Sequence, residues 1–467
     1  MISPPPPDVT RQLAYFAADL DFADLPPAVI AHGKLAILDG LGVILQGATL
    51  PWSRMVADLA IADGGRGEAT ILGRGVKVPA AAATLANATA GHAFELDDIH
   101  RDSIVHPNSI VVPVAVNMAE RAGGGDGRTA LTAIVAGYEV ANRIGAAAGT
   151  DLLLRGFHPQ GTAGAIASAV TAGKMLGLDG ATLLHAIGIA GSLGAGLMAA
   201  QEGAMVKRLH SGRAAEAGVR AALLAARGFT GIENLVEADY GGFLSSFAGG
   251  THGLPRALDG LGATWETTNS GFKPHATVTS IHSCLDSLAR IMADHSLTAG
   301  DIARVDAGIS HPTFVHCAWP YRAQSVTAAQ MNLYYGPAMI ALDGAAFTAQ
   351  FDEARLTDPA VLDFIAKVHA AVDPEIDALG PSARHMAKLT VTTTDGRVLR
   401  HTERHRRGSP ENPVSAADLV AKFEALTGPL LAPTAGAMCQ DLVNDFDNLA
   451  DVRSLIDALH PAATDAR

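Results

Sequence analysis

Between Gly91 and Pro107 the chain reads Gly-His-Ala-Phe-Glu-Leu-Asp-Asp-Ile-His-Arg-Asp-Ser-Ile-Val-His-Pro, placing Glu95, Asp97, Asp98 and Asp102 among His92, His100 and His106. Carboxylates and imidazoles this close shift one another's pKa values, more so when buried, and that is what general acid–base chemistry requires. Taken alone, the stretch could equally be a set of capping and solvated turn residues. Two further clusters weigh against that. Gly156-Phe157-His158-Pro159-Gln160-Gly161-Thr162 puts a histidine before a proline at a helix start, where free backbone N–H groups can donate to a carboxylate. Lys207-Arg208-Leu209-His210-Ser211-Gly212-Arg213 opens another helix with cations, which the helix dipole disfavours unless an anion sits among them. Lys273-Pro274-His275 with His282, and Arg322 further on, stand where a second domain begins.

The elements that must hold these residues are mostly helical. Apolar spacing and helix-start prolines predict helices from Thr10, over Ile30–Leu45 after Pro26-Pro27, and over Val56–Ala62. Alanine-rich Ala80–Thr89 and apolar Ile110–Glu120 flank the acidic stretch as helices. Helices also follow over 127–148, 164–176, 181–200 and 211–227, several rich in Ala and Gly and suited to close packing. Past Trp265 the pattern changes. Ile302–Ile309 alternates as a strand, and Ala387–Leu399 reads as a hairpin with a two-residue Asp395-Gly396 turn. Helices are expected over 277–294, over 328–342 with a break at Gly336-Pro337, and over 359–368, 416–426 and 438–459, with an extended tail at Pro4–Pro7. The expected architecture is mainly α: a large all-helical domain from residues 1–266 and 405–467, interrupted by a smaller α+β domain at 267–404.

Bulk properties narrow the class. A net charge of −13 argues against nucleic acid or an anionic membrane as partner, while leaving room for a basic pocket. With 48% hydrophobic and 17% charged residues, the chain can bury substantial cores. Cys284, Cys317 and Cys439 are few and dispersed, which predicts no disulfide scaffold and no cysteine-rich metal centre. The N-terminus does not read as a signal peptide, and no run reads as membrane-spanning, so a cytoplasmic protein is expected.

With these motifs assembled, the chain resembles the 2-methylcitrate dehydratase (MmgE/PrpD) family over nearly its whole length. The resemblance is carried by His92–Asp98 with His106-Pro107, Phe157–Thr162, Lys207–Ala215, Arg227–Gly231, Phe272–Pro274, His282, Leu342–Gly344 and Arg407–Pro413. It implies the helical domain with an inserted α+β lid, a homodimer, and a cleft site using neither metal nor organic cofactor. The implied substrate is a small di- or tricarboxylate. On the matching positions, Glu95, Asp98, His106, His158 and Lys207 are the implied catalytic residues. Asp97, His100, Arg208, His210, Arg213, Lys273, His275 and Arg322 are expected to bind substrate. The chain departs from the family pattern where Glu95 replaces an Asp, where Ile99 stands in place of the Thr of decarboxylase-like members, in a longer loop to His106, and in the missing cysteine pair after Lys273-Pro274.

The reaction expected first is hydro-lyase chemistry of the 2-methylcitrate dehydratase type: proton abstraction alpha to a carboxylate, then loss of a beta-hydroxyl. Epimerisation of an iminodisuccinate-like acid and decarboxylation of a cis-aconitate-type acid are the alternatives within the family. Outside it stand a carboxylate-binding protein without turnover and a metal enzyme using His100, Asp102 and His106. The sequence leaves open which group takes the proton.

Overall fold

A computed structural model describes residues 8–459; the Pro4–Pro7 tail lies outside them. The protein is mainly α, 61% helical. One hydrophobic core gathers residues from Val9 to Phe272 and returns at Leu419–Leu459. A second gathers Ala276–Val391 together with Val43, Phe94, Leu96 and Leu426.

Close helix packing in the first core has a cause in single residues. A Cβ on Gly212 would lie 2.4 Å from the Leu85 carbonyl oxygen, and one on Gly218 would lie 2.3 Å from Ser168 Cβ. Only glycine lets the Val206–Ala225 helix press at once on the Ala80–Gly91 and Pro159–Met175 helices. That contact brings the three sequence clusters together, because each sits at an end of one of these helices.

The Pro27–Ala48 helix begins at its proline as expected, yet corrects the reading that no segment is apolar enough to cross a membrane. It has the length and composition to do so, but two-thirds of its most apolar window is buried inside the protein. It carries Asp39, fully enclosed, which pairs with Lys422 of the Ala416–Thr427 helix at 2.7 Å and accepts from Asn108 Nδ2 at 2.9 Å. Lys422 also donates to the Leu96 carbonyl at 2.6 Å, so a C-terminal helix holds the acidic loop.

The second core wraps a four-stranded sheet in the order Val368–Val372, Ile302–Ile309, Ala387–Thr393, Val398–Glu403. The first pair is parallel, with Val305 opposite Val368; the others are antiparallel. Of Val368–Val372 only Val368 had an expected place, as the end of the 359–368 helix. The segment is a largely exposed edge strand and shows no apolar alternation. The hairpin turn is three residues, not two: Thr393 N–H bonds to the Arg397 carbonyl, and Gly396 takes the left-handed conformation at φ 86. The break expected at Gly336-Pro337 falls at Asn332–Tyr334 instead. Val326–Met331 and Tyr335–Asp343 are separate helices, with Pro337 in the first turns of the second, where its missing N–H costs nothing. The expected 438–459 helix is likewise two, Pro433–Asn444 and Arg453–Ala458. All three cysteines are buried and free.

Removing one partner of a buried pair leaves the other charge uncompensated. Lys422→Met should therefore cost roughly 3–5 kcal/mol in denaturant unfolding. Adding Asp39→Asn should restore most of the loss, because the stranded charge goes with it.

Candidate active site

The acidic stretch folds as a tight loop, buried except at Arg101 and Asp102. After the Ala80–Gly91 helix, Glu95 adopts φ 57, a left-handed conformation that a non-glycine residue takes only at a cost of about 1–3 kcal/mol. Ile99-His100 then pairs antiparallel with Ser270-Gly271, Ile99 opposite Gly271. This short ladder carries Lys273 to the acidic loop. A turn closed by Ile104 N–H on the His100 carbonyl, with Ile104 at φ 59, leads to His106. Pro107 follows, and the next helix starts at Asn108.

Glu95 is the hub. Its carboxylate receives Lys207 and Arg208 on Oε1, the latter at 2.5 Å, and Lys273 on Oε2 at 3.1 Å. The anion expected among the cations at the start of the Val206–Ala225 helix is thus a side chain of the protein itself. Burial alone would raise the Glu95 pKa, but Lys207, Lys273 and Arg208 outweigh it and hold the carboxyl well below its ordinary range. Burial lowers Lys207 to about 8; Glu95 pulls it upward, and Arg208 and Lys273 push it down.

Behind this hub lies a run of imidazoles. His92 Nδ1–H donates to Asp97 Oδ2 at 2.7 Å, and His106 Nδ1–H donates to the Asp98 carbonyl at 2.7 Å while lying 3.4 Å from Asp97 Oδ1. Ring centroids of His92 stand 5.0 Å from His106 and 5.5 Å from His158, and His158 Nδ1 meets His210 Nδ1 at 2.9 Å. Burial pushes His92 to about 3, His210 to about 4, and His158 well below the ordinary histidine value, so these three rings are neutral at working pH. Gln160 fixes the backbone of His106 from both sides, accepting from its N–H at 2.8 Å and donating to its carbonyl at 3.1 Å.

A narrow cavity opens onto this assembly. Glu95, His106, His158, Lys207 and Lys273 line it, bringing together five residues singled out in the sequence. The others are elsewhere. Asp98 stands behind the wall, accepting from Tyr138 Oη at 2.6 Å and Asn108 N–H at 2.9 Å; burial raises its pKa well above the ordinary value. Asp97 and Arg208 are enclosed supports of His92 and Glu95. His100 is fully engaged with Glu266 at 2.9 Å and Ser103. His210 touches His158 but lines a separate groove. Three further residues expected to contact substrate do not line this cavity. Arg213 is exposed and pairs with Glu216, His275 pairs with Asp286 at 3.1 Å, and Arg322 is on the surface. Arg213 and Arg322 point outward from their helix face and loop, whereas His275 is half-buried and turned to Asp286.

The cavity also recruits residues without a sequence signal: Ser280, Thr313, His316, Arg384 and His385, all from the second core. His92, within the opening stretch but assigned no role, is central to the imidazole run.

His92, Asp97 and His106 bring ligand-type atoms within 4.8 Å of one another, the one such group among the described residues. Their Nδ1 atoms carry hydrogens committed to Asp97 and the Asp98 carbonyl, and Lys273 Nζ lies 3.6 Å from Asp97 Oδ1. A cation placed here would meet an ammonium and two N–H groups, so the trio fits a proton network better than a metal. The metal reading with His100, Asp102 and His106 fails as well, since His100 is satisfied and Asp102 pairs with Arg101 at 3.2 Å.

Comparison with known proteins decides the family. Residues 11–253 match the MmgE/PrpD N-terminal domain and residues 275–448 the MmgE/PrpD C-terminal domain. The chain belongs to the MmgE/PrpD family. It is 30% identical over 471 residues to a cis-aconitate decarboxylase of Aspergillus terreus, covering 97% of this chain and 96% of that protein. It is also 30% identical to the cis-aconitate decarboxylase-like protein oryM of Aspergillus oryzae (97% and 98% covered) and 27% identical to human cis-aconitate decarboxylase (95% and 92% covered). Membership of this family makes the chain an enzyme, and its relatives act on a small carboxylate.

Because Glu95 holds the Lys207 charge in place, an anion's affinity should fall as pH rises through about 8. In Glu95→Gln the upward pull is gone, so the same loss should begin at lower pH. Carboxylate binding followed by calorimetry from pH 6 to 9 reads the shift; an unmoved alkaline limb would separate Glu95 from Lys207.

Proposed function

We propose that this enzyme removes CO2 from a small unsaturated tricarboxylate of the cis-aconitate type. The observation that carries the reading is the charge balance of the cavity: Lys207, Lys273 and Arg384 line it against the single carboxylate of Glu95, leaving positive charge for a polyanionic acid. The resemblance to cis-aconitate decarboxylases along the whole chain supports decarboxylation over the dehydration expected first.

The chemistry follows from what lines the site. The C–C bond to one carboxylate breaks, and its electron pair moves through the neighbouring double bond onto a second carboxylate as an enediolate. A proton then adds at the former alkene carbon, so one proton enters and one CO2 leaves. Lys207 and Lys273 stabilise the enediolate charge, in a buried setting where that stabilisation is strong. His106, oriented by the Asp98 carbonyl and standing by Asp97, carries the proton. Ile99, Ile104, Leu153, Met198, Val278 and Met331 give the cavity an apolar side. A carboxylate resting there is poorly solvated, which favours its departure as neutral CO2.

Ile99 also supports a second reading. It lines the cavity where decarboxylase-like members carry Thr, and a hydrocarbon face there suits a substrate bearing an alkyl group, as 2-methylcitrate does. One experiment separates the two. Incubated in deuterated water with cis-aconitate or 2-methylcitrate, the enzyme should release CO2 from the former and place one deuterium on the product carbon, read by NMR. Water loss from 2-methylcitrate with no carbon loss from cis-aconitate would overturn the decarboxylase reading in favour of dehydration.

A further inference from the structure

Two cavity-lining side chains take no part in the network around Glu95. Arg384 and His385 lie just before the Ala387–Thr393 strand, 6% and 7% exposed. Among the described residues no carboxylate lies within ion-pair distance of the Arg384 guanidinium. Its Nη2 donates to the Arg101 carbonyl, and its Nε donates to His385 Nε2 at 3.1 Å. A guanidinium can only donate, so His385 Nε2 is the acceptor and the ring hydrogen sits on Nδ1. Among the described residues Arg384 Nη1 and His385 Nδ1–H have no hydrogen-bond partner, and both side chains line the cavity. The pair is held in place: the Arg384 carbonyl accepts from Ser310 Oγ at 2.7 Å and Thr313 Oγ1 at 2.8 Å. A buried guanidinium with no counter-ion is unfavourable unless an anion is brought to it. Burial accordingly lowers the Arg384 pKa to about 10. His316, also lining the cavity, feels the charges of both Lys207 and Arg384.

We propose that Arg384 and His385 form a second carboxylate site, distinct from the Lys207–Lys273 pole, so that the cavity selects acids whose two outermost carboxylates are three carbons apart. This rests on reading the cavity as a carboxylate site, but on neither decarboxylation nor dehydration. The test therefore uses ligands that can undergo neither. Tricarballylate has no double bond and no hydroxyl; methylsuccinate is the same skeleton lacking one terminal carboxylate. Calorimetry should find the wild-type enzyme preferring tricarballylate by about 10- to 100-fold, the range expected of a charge-assisted contact.

In Arg384→Met, which removes the buried charge while keeping bulk, the preference should collapse to within about 3-fold, with methylsuccinate affinity nearly unchanged. His385→Asn, the milder change and the check if Arg384→Met folds poorly, should shrink the preference in the same direction. A preference retained in both variants would overturn the proposal. So would an equal weakening of both ligands, which marks a purely structural role. If wild-type enzyme binds neither acid, the carboxylate reading of the cavity falls with it. Dehydration found by NMR beside an intact binding preference would leave this site standing while overturning the decarboxylase reading.

Discussion

A carboxylate with almost no access to water, gripped by two lysines and an arginine, is the constraint from which the rest of this protein follows. Three cations cannot be gathered in a buried space unless an anion is fixed among them, and Glu95 is that anion. Fixing it demands a left-handed backbone at a non-glycine residue, and that strain is sustained by the packing around it. The positive charge left over after Glu95 is satisfied makes the cavity receptive to an organic acid.

Around the hub, hydrogen bonds settle which nitrogen of His92 and of His106 carries a proton. The Asp98 carbonyl and Asp97 fix His106 and His92, and burial keeps His92, His158 and His210 neutral. Neutral rings packed against one another avoid adding charge to a site already rich in it. Asp98 shows how a residue can matter without lining the cavity. Its side chain fastens Tyr138 and the start of the next helix, and its carbonyl aims the histidine in front of it.

What the sequence disclosed is largely what local patterns encode. Helix-start prolines, alanine-rich runs and the alternation of Ile302–Ile309 and Ala387–Thr393 predicted elements that the structure contains. The chemistry-bearing motifs pointed to Glu95, His106, His158, Lys207 and Lys273, which share one cavity. Arg384, His385 and His316 were not legible, because isolated polar residues near element ends look the same whether they face solvent or a cleft. Arg213, His275 and Arg322 show the reverse: side-chain type suggested substrate contact, but Arg213 and Arg322 face outward and His275, half-buried, is turned to Asp286. Orientation depends on helix phase and domain packing, and neither is written in a short motif. The edge strand Val368–Val372 escaped for a related reason: a strand exposed on both sides has no apolar rhythm to read.

The ammonium of Lys422, more than three hundred positions downstream of Leu96, clasps that residue's carbonyl and the Asp39 carboxylate together. During synthesis the loop bearing Glu95 emerges from the ribosome long before this clasp exists. Until the C-terminal helix arrives, Asp39 has no cation and the loop has no anchor on that side. The nascent chain thus completes its cavity only near the end of translation, so a released fragment ending before the Ala416–Thr427 helix would carry Glu95, His106, His158, Lys207 and Lys273 and still be without a finished site.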